Sequence, residues 1–377
     1  MKNKKKAIVC VSNDLITDNR VSKTCLVLEG QNYEVTLVGR KKKNSPPMNK
    51  KSFRWKRFKL PFEKGPLFYL SLNIRLLLFL FSSKVDLIYA NDLDTLAPCF
   101  LAAKIKKAKL IYDTHELFTE VPELTSRPRV QYIWLKIESA IFPKLKHVIT
   151  VNNSIAKIYS QKYNIPVTAV RNVPEYHKLE GELKTRKQLK LDIEDFILII
   201  QGSGLNIDRG IEEAVLAMKN CEGCILLIVG DGDVIPKAKE IVAHNDIKQK
   251  VRFISRRPYD ELMKITRIAD VGLLLDKNSS LNQELALPNK LFDYIHAGIP
   301  ILSSALPEIK KIIKKYEVGI FLSETEPKII QETILSYKAN HKLRNQHKEN
   351  CRLAAEKENW GIEQQKLIDV IIASEQN

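Results

Sequence analysis

Short apolar runs alternate regularly with longer amphipathic stretches along the 377-residue chain. Apolar runs of four to six residues are typical of buried strands, and amphipathic stretches of helices, so the order predicts a parallel, doubly wound sheet. In the first half, the predicted strands are 7–11, 35–38, 87–89, 109–112 and 147–151. The predicted helices between them are 21–28, 69–81, 95–106 and 133–142.

A polar stretch over about residues 172–191 interrupts the alternation and is predicted to be a linker. Beyond it the predicted strands are 196–201, 225–229, 251–254, 271–275 and 299–303, and the predicted helices are 209–219, 234–243, 259–267 and 289–296. A chain of this length exceeds what one core usually serves. We therefore expect an α/β protein with two Rossmann-like parallel-sheet domains, 1–172 and 173–354, facing a cleft. A C-terminal helix over about 355–377 is expected to pack back on the first domain.

The start of the predicted helix 289–296 carries residues that a buried αβ unit does not need. Pro288, Asn289 and Lys290 stand at its first turn, and Asp293 lies one turn further. Free N–H groups and the positive end of the helix dipole attract anions there, and proline suits this position. Lys290 adds a cation, and Asp293 offers an acceptor for a ribose diol. The residues fit a nucleotide diphosphate, and they fit an ordinary surface helix start equally well.

A second loop in the same half has phosphate-binding character. The predicted strand 196–201 runs into Gly202, Ser203 and Gly204, and Arg209 stands at the start of the next predicted helix. Glycines let the backbone approach a phosphate closely, and arginine binds phosphate bidentately. Two such loops at strand ends of one domain favour the phosphate-binding interpretation over the surface one.

The charge balance, 61 Lys and Arg against 44 Asp and Glu, gives a formal net charge of +17 that attracts polyanions. Residues 41–81 combine basic clusters with aromatic side chains, which leaves three interpretations open: a single-stranded nucleic-acid surface, a membrane-interface patch, or a solvated loop before a core helix.

The apolar run 66–81 is shorter than the ~20 residues of a spanning helix. The first residues lack the apolar length of an export signal. We expect a cytoplasmic protein, with peripheral attachment to the inner face of the cell membrane as an open alternative.

Several motifs together resemble the retaining glycosyltransferases of family 4, which have the GT-B fold. The motifs are L-P-N-K-L-F-D-Y-I-H-A-G-I-P-I, the upstream G-S-G-L-N-I-D-R-G and, in the first half, Y-D-T-H-E. The likeness covers nearly the whole chain. It implies transfer of a sugar from a nucleotide-diphosphate sugar to a saccharide or lipid-linked saccharide acceptor, with retention, in surface polysaccharide or glycolipid assembly. It implies an acceptor-binding first domain, a donor-binding second domain, no cofactor and no nucleic-acid partner.

The resemblance also implies roles for individual residues. Arg209 takes the place of a cation that neutralises the diphosphate, Asp293 that of a ribose-binding carboxylate, and His115 that of a histidine beside the transferred sugar. Lys290 is the third residue, with Arg209 and His115, that we expect to take part in catalysis. The implied donor-binding residues are Gly202, Ser203, Gly204, Glu284, Leu287, Pro288, Asn289 and Asp293, and an N-domain loop with Asn13, Asp14 and Arg20 is expected to face the donor.

The sequence departs from the family pattern at two positions. Leu285 stands where the family has a glutamate, which makes the neighbouring Glu284 the candidate for that sugar contact. Gly204 stands where the family often has an arginine, so Lys290 is expected to supply the second positive charge.

Other interpretations remain open at this point. Asp92-Leu93-Asp94 has the D-x-D form that coordinates a metal in another glycosyltransferase fold, but the GT-B resemblance implies metal-independent transfer, and a helix cap at Asp94 or Thr95 explains the motif. A GT-B nucleotide-sugar epimerase or hydrolase is the nearest rival activity. A non-enzymatic nucleic-acid-binding protein would explain the positive charge but not the two phosphate-type loops.

Overall fold

The structure is a computed structural model that describes residues 4–16, 18–48, 50–176 and 183–376. The chain divides into two compact units: one holds the residues up to 172 together with those from 363 onward, and the other holds residues 173–362. The first unit boundary lies at the predicted position, 172/173, whereas the second lies at 362/363 and the predicted second domain ends at 354. The predicted C-terminal helix, 355–377, is split between the two units at residue 362.

The first unit contains a seven-stranded parallel sheet in the order β3-β2-β1-β4-β5-β6-β7. Its strands are β1 (Lys5–Asp14), β2 (Tyr33–Lys41), β3 (Arg54–Lys59), β4 (Leu87–Asn91), β5 (Lys109–Thr114), β6 (His147–Thr150) and β7 (Val167–Ala169). Its helices are α1 (Asn19–Gly30), α2 (Gly65–Ser82), α3 (Leu93–Lys106), α4 (Pro122–Thr125), α5 (Pro128–Ile141) and α6 (Asn153–Tyr163). The strand order reverses between β1 and β4, and ligands of such sheets bind at this kind of switch point.

The edge strand β3 corrects a sequence-based expectation. The sequence predicts no strand in the charge-dense stretch 50–59, for which a solvated loop is one of the open interpretations, but the segment pairs in parallel with β2 from Thr36↔Arg54 to Lys41↔Lys59. An edge strand has one neighbour and exposes much of its length, so charged residues are tolerated and protect the edge from further pairing. Phe58 turns inward and packs edge-on against Phe79 of α2, with ring centroids 5.8 Å apart.

Helix α2 is long and apolar enough, by length and composition alone, to be a candidate membrane span, the one such helix within the described residues. It nevertheless packs in the first unit, because Phe68, Leu72, Leu76 and Leu80 are buried at helical spacing. The sequence had placed this run below the length of a span; the structure gives a helix of 18 residues.

The second unit contains a six-stranded parallel sheet in the order β10-β9-β8-β11-β12-β13, with the switch point between β8 and β11. Its strands are β8 (Phe196–Gly202), β9 (Cys224–Gly230), β10 (Val251–Ile254), β11 (Val271–Leu274), β12 (Ile301–Ser303) and β13 (Gly319–Phe321). Its helices are α7 (Leu183–Gln188), α8 (Ile211–Ala217), α9 (Ile235–His244), α10 (Tyr259–Arg267), α11 (Leu281–Glu284), α12 (Asn289–Ala297), α13 (Pro307–Tyr316), α14 (Pro327–Ala339) and α15 (His341–Lys357). The last helix, α16 (Trp360–Gln376), begins in this unit and continues into the first.

Part of the predicted linker lies outside the described residues, which resume with α7. The strand β13 and the helices α13 and α14 were absent from the sequence-based expectation. The predicted C-terminal helix, 355–377, is not continuous, because α15 ends at Lys357, α16 begins at Trp360, and the chain breaks at Glu358 and Asn359. Glu358 is buried and its carboxylate accepts a 2.5 Å hydrogen bond from the Tyr316 hydroxyl, which holds the chain at the break.

The core of the second unit is built on strands that are apolar along most of their length. Six of the seven residues of β8 and all seven of β9 are buried, as expected for central parallel strands covered on both faces. Gln201 is the polar exception near the end of β8, and it is 1% exposed. A buried amide at the carboxyl end of a central strand requires hydrogen-bond partners, and these lie in the candidate site.

Candidate active site

In the second unit, polar side chains gather at the switch point between β8 and β11. Arg209 lies in the turn after β8, between Asp208 and Gly210, both of which have a φ of 67°. These two left-handed residues delay the helix, so α8 begins at Ile211, two residues later than predicted. The turn is fixed to the loop after β11, because the Lys277 amide donates to the Asp208 carbonyl at 2.9 Å.

Arg209 and Lys290 meet at one carboxylate, that of Asp276. The Arg209 guanidinium donates to Asp276 Oδ1, and Lys290 Nζ lies 3.0 Å from Asp276 Oδ2. Asp276 is 2% exposed. Burial alone would raise the pKa of Asp276, but Lys290 and Arg209 lower it below its ordinary value, so the carboxylate is ionised. We call these three residues the Asp276 cluster.

Asp293 lies in a separate hydrogen-bond network on α12. Its Oδ1 accepts from the Tyr259 hydroxyl at 2.9 Å, and its Oδ2 accepts from Gln201 Nε2 at 3.1 Å. Gln201 Oε1 accepts in turn from the Thr266 hydroxyl at 2.5 Å. Burial, and then the neighbouring Asp293 carboxylate, raise the pKa of Tyr259, which keeps that hydroxyl a donor. The network fixes the orientation of the Asp293 carboxylate.

The position of α12 depends on a close approach to the sheet. A Cβ at Gly272 of β11 would lie 2.4 Å from the Tyr294 ring, so only glycine lets the helix pack this closely. The Tyr294 hydroxyl then donates to backbone carbonyls of β8 and β11, at 3.3 Å each. Pro288 is the N-cap of α12 and no side chain caps the helix, which leaves first-turn N–H groups for an anion.

The remaining predicted donor-binding residues lie in the same loops. Gly202 ends β8, and Ser203 and Gly204 follow in an exposed turn. Glu284 ends the short helix α11 and is half-buried, while Leu287 and Asn289 flank the Pro288 cap. All of these residues follow β8 or β11, so the structure brings them to the edge that carries the Asp276 cluster.

In the first unit, Arg20 and Asp113 form a buried ion pair. Arg20 donates to both carboxylate oxygens of Asp113, at 2.7 and 3.0 Å, and to the Val170 carbonyl at 2.8 Å. The Tyr89 hydroxyl also donates to Asp113, at 2.9 Å. Burial opposes ionisation of Asp113, but Arg20 and His115 lower its pKa well below the ordinary range. Arg20 therefore lies in α1, and its guanidinium is bound to Asp113 and to the Val170 carbonyl. It does not lie in the N-domain loop that we expected to face the nucleotide-sugar.

His115 follows β5 and is held between two carboxylates. Its Nδ1 lies 3.2 Å from Asp92 Oδ2, its Nε2 lies 3.7 Å from Asp113 Oδ2, and Nε2 contacts Asn91 Oδ1 at 3.2 Å. Burial alone would lower the pKa of His115, but Asp92 and Asp113 raise it to about 9. The imidazole is therefore protonated at neutral pH. We call His115, Asp92, Asn91, Asp113 and Arg20 the His115 cluster.

The other residues of the predicted N-domain loop belong to a strand. Asn13 and Asp14 are the last residues of β1, and Asp14 pairs with Arg57 of β3 at 3.3 Å. Thr17, inside the same predicted loop, lies outside the described residues. Asp92 is the N-cap of α3 and receives the His115 backbone N–H at 2.9 Å. Across the described ranges, no group of three His, Cys, Asp or Glu side chains is arranged to hold a metal.

Asp276, Gln201 and Tyr259 are residues of the second-unit site that the sequence did not predict, and Asn91 and Asp113 of the His115 cluster were missed as well. Asp276 directly follows the strand β11, and an acidic residue at a strand end was the available signal. Gln201 was read as the last residue of a strand, although a lone amide in an apolar run indicates a buried partner. Tyr259 gave no signal, because its contact with Asp293 joins residues that are far apart in the sequence.

Two tandem, doubly wound parallel sheets, each with polar side chains gathered at its switch point, are the arrangement found in the GT-B class of proteins. The chain matches two family models in succession, "Glycosyltransferase Family 4" over residues 19–174 and "Glycosyl transferases group 1" over residues 182–354. The chain belongs to the GT-B glycosyltransferases of family 4.

Known relatives share modest sequence identity with the chain. It is 24% identical over 239 residues to the chitobiosyldiphosphodolichol beta-mannosyltransferase of Candida albicans, a match that covers 57% of this chain and 51% of that protein. The chain thus spans about half the length of this relative. Its fold matches sucrose-phosphate synthase of Thermosynechococcus elongatus with a TM-score of 0.81 and 16% identity, over 98% and 99% of the two chains. It matches HepE of Anabaena in complex with UDP and glucose with a TM-score of 0.74 and 14% identity, over 98% and 99%.

Proposed function

We propose that the protein transfers a sugar from a nucleotide-diphosphate sugar to a saccharide or lipid-linked saccharide acceptor, with retention of anomeric configuration. The observation that carries the proposal is the Asp276 cluster, in which two cations converge at the switch point of a parallel sheet. Two positive charges and one negative charge leave a net charge of +1 there. An anionic diphosphate is attracted to this position, where Asp276 already holds both cations.

The Asp276 cluster supplies positive charge, which the transfer step requires. As the bond between the anomeric carbon and the diphosphate breaks, negative charge accumulates on the leaving oxygen. Arg209, Lys290 and the first-turn N–H groups of α12 compensate this charge, and preorganised donors of this kind account for much of the rate enhancement in many enzymes. Asp293, oriented by Tyr259 and Gln201, binds the ribose of the nucleotide.

Retention follows if the leaving diphosphate also takes the proton of the acceptor hydroxyl. The acceptor oxygen then attacks the anomeric carbon on the face from which the diphosphate departs. The new carbon–oxygen bond forms on the side where the old one breaks, and the proton ends on the diphosphate. His115, as an imidazolium ion, is the proposed positioning group for the donor sugar.

We propose a cytoplasmic reaction in surface polysaccharide or glycolipid assembly. Support comes from the name of the Candida relative, whose acceptor is a saccharide joined through a diphosphate to dolichol. UDP is the first nucleotide to test, because HepE, which shares the fold, was solved with UDP and glucose.

One assay tests the activity: consumption of a UDP-sugar with and without a saccharide acceptor. Transfer requires consumption that depends on the acceptor, and a proton NMR spectrum of the product then reports whether the donor configuration is retained. Consumption at an equal rate without acceptor identifies an epimerase or hydrolase, and an inverted product overturns the mechanism above.

A binding measurement tests the donor site independently of any acceptor. A nucleotide diphosphate at about 100 times its Kd stabilises the folded protein by about 2.7 kcal/mol. A thermal-shift series over UDP, GDP and ADP should show stabilisation by at least one of them, and Asp293→Asn should weaken that binding. If none of the three shifts the transition, or if Asp293→Asn binds as the parent does, the assigned nucleotide site is wrong.

A further inference from the structure

Helix α2 has an exposed face that is apolar, opposite the face that packs in the first unit. The buried side is formed by Phe68, Leu72, Leu76 and Leu80. The exposed side carries five large apolar side chains that are 37–62% exposed: Leu67, Leu70, Ile74, Leu78 and Phe81. At about 100° per residue, these five positions fall within about 80° of the helix circumference. A surface helix normally shows polar residues there, so this continuous stripe requires an explanation.

The stripe continues onto two neighbouring helices. The connections β3–β4, β4–β5 and β5–β6 run in one direction across the sheet, and right-handed crossovers therefore place α2, α3 and α5 on the same face. Lys106 of α3 donates to the Phe81 carbonyl of α2 at 2.9 Å, and Tyr69 of α2 packs against Trp134 of α5, with ring centroids 5.1 Å apart. These two helices add exposed apolar side chains, namely Leu101, Ile105, Val130, Tyr132 and Ile133.

The exposed charges of these three helices, all of which lie in the described part of the chain, have one sign. Their exposed charged side chains are Arg75, Lys104, Arg129 and Lys136. The two carboxylates within the helices are buried, and Glu138 is paired with Lys162 at 2.7 Å. Beside α2, the Lys56 ammonium lies 4.6 Å from the centre of the Phe79 ring. Apolar side chains interspersed with cations form what we call the α2–α3–α5 face.

We propose that the α2–α3–α5 face docks on an anionic lipid bilayer, with α2 lying in the plane of the interface. Aliphatic side chains enter the boundary between headgroups and acyl chains, while the cations contact lipid phosphates. The helix lies on the membrane instead of spanning it, because its opposite side is packed in the first unit. The proposal concerns this surface alone and does not depend on the nucleotide site.

Two other occupants fit the chemistry less well. A second copy of this chain would bring an all-basic face against an identical one, and like charges in contact disfavour such pairing. A single-stranded nucleic acid binds by stacking bases on exposed aromatic rings, whereas the residues of the α2 stripe are mostly leucine and isoleucine. The proposed membrane contact is formed by the α2–α3–α5 face and not by the basic residues that precede α2. Among those residues, Phe58 is buried and Arg57 is paired with Asp14.

The test is sedimentation of the full chain with vesicles. Vesicles of phosphatidylcholine mixed with an equal amount of phosphatidylglycerol should carry the protein down, and added salt should release part of it. The variant Leu70→Ser, Ile74→Ser, Leu78→Ser should bind these vesicles at least about tenfold more weakly, since it removes the apolar contact without touching the core. The matched control, Leu216→Ser, Ile193→Ser, Leu353→Ser, changes three exposed residues of the second unit and should bind as the parent does.

A charge variant separates the two contributions. Arg75→Gln, Lys104→Gln, Lys136→Gln should abolish most of the salt-dependent binding and leave the salt-resistant part. Circular dichroism and the nucleotide thermal shift show whether each variant remains folded. The proposal is overturned if the parent ignores the anionic vesicles, or if the serine variant binds them as well as the parent and the control do. It is also overturned if the parent self-associates in sedimentation velocity and the serine variant does not, because a second copy then occupies the face.

Discussion

At the scale of single residues, Arg209 and Lys290 differ in burial although they share Asp276. The Lys290 side chain is 12% exposed and that of Arg209 is 30% exposed. Removing Arg209 leaves Asp276 paired with Lys290, so the fold should tolerate the change, whereas removing Asp276 would leave two cations without their shared partner. Arg209 is therefore the cation whose substitution reports on function with the least effect on folding.

We expect Arg209→Ala to lower turnover about a hundredfold while the unfolding transition stays close to that of the parent. A charge-assisted contact to the leaving group is worth about 3 kcal/mol in the transition state. Steady-state kinetics with a UDP-sugar and an acceptor measures the effect. Arg352→Ala is the matched control, because that exposed side chain lies on α15 and pairs with the exposed Glu349. Turnover within a factor of about two of the parent would show that Arg209 takes no part in leaving-group stabilisation.

A second residue-scale prediction concerns His115 and pH. The folded-state pKa of about 9 lies above the ordinary value of 6.5. The imidazolium therefore contributes stability that is fully present below pH 6.5 and is lost as the pH rises through 9. At one pKa unit per 1.36 kcal/mol, the contribution is roughly 3 kcal/mol.

The measurement is urea unfolding of the parent and of His115→Gln at several pH values. The parent should be the more stable protein below pH 6.5, and the difference should shrink between pH 6.5 and 9. His244→Gln changes an exposed histidine of the second unit and should show no such trend. A difference that stays constant over this range would contradict the charged state assigned to His115.

The sequence predicted some residues of both clusters, and there is a physical reason why it did not predict the others. Arg209, Lys290 and Asp293 follow strand ends in the predicted order, so their common location at one sheet edge was accessible. Asp276 was missed because its role depends on two partners that meet only in the fold. The sequence also did not predict that the donors of Arg20 are bound to Asp113 and Val170, because burial by distant elements leaves no local pattern.

At the scale of elements, the turn before α8 determines where Arg209 lies. Gly210 has a φ of 67°, and a Cβ there would lie 2.4 Å from Leu275 Cβ and 2.5 Å from the Leu275 carbonyl oxygen. Because Leu275 directly precedes Asp276, a side chain at position 210 would displace the partner of Arg209 as well as strain the turn.

We expect Gly210→Ala to destabilise the second unit by about 1–3 kcal/mol and to lower turnover further through the displaced Asp276. Gly204→Ala in the same loop is the control for stability, because its Cβ would meet nothing nearer than 3.7 Å. Thermal unfolding and turnover of both variants provide the comparison. Equal stability of the two variants would show that the turn adapts and that Gly210 does not position the cluster.

Helices and strands were predicted best where a local sequence pattern identifies them. The strand 251–254 and the helix 259–267 have the predicted bounds although both are only partly buried, because a short run rich in apolar residues and amphipathic spacing are local signals. The edge strand β3 was not predicted because its residues are mostly charged, and pairing with β2 is a long-range property. The break between α15 and α16 depends on Glu358, whose partner Tyr316 lies on α13, and sequence spacing does not reveal such a contact.

At the scale of the whole molecule, the first unit is built from two separate parts of the chain. Residues from 363 onward belong with residues up to 172, so α16 returns to a unit that the chain leaves nearly 200 residues earlier. Glu363 makes the connection: its carboxylate accepts from Arg171 Nη2 at 2.8 Å, from the Arg171 backbone N–H at 2.9 Å and from Lys366 Nζ at 2.9 Å. Burial would raise the pKa of Glu363, but Arg171 and then Lys366 lower it. Tyr33 and Lys5 hold the far end of α16 through Glu375.

We expect Glu363→Gln to destabilise the first unit by about 2 kcal/mol, because Arg171 loses the charge that balances it in a largely buried position. Hydrogen exchange of the full chain should show faster exchange at Val170, at Arg171 and along α16, while the strands of the second unit keep their protection. Glu349→Gln, which alters an exposed glutamate paired with Arg352, should leave both units unchanged. Loss of protection in β8 and β9 as well would mean that the units unfold as one, and unchanged exchange in α16 would mean that its apolar contacts, not Glu363, hold it in place.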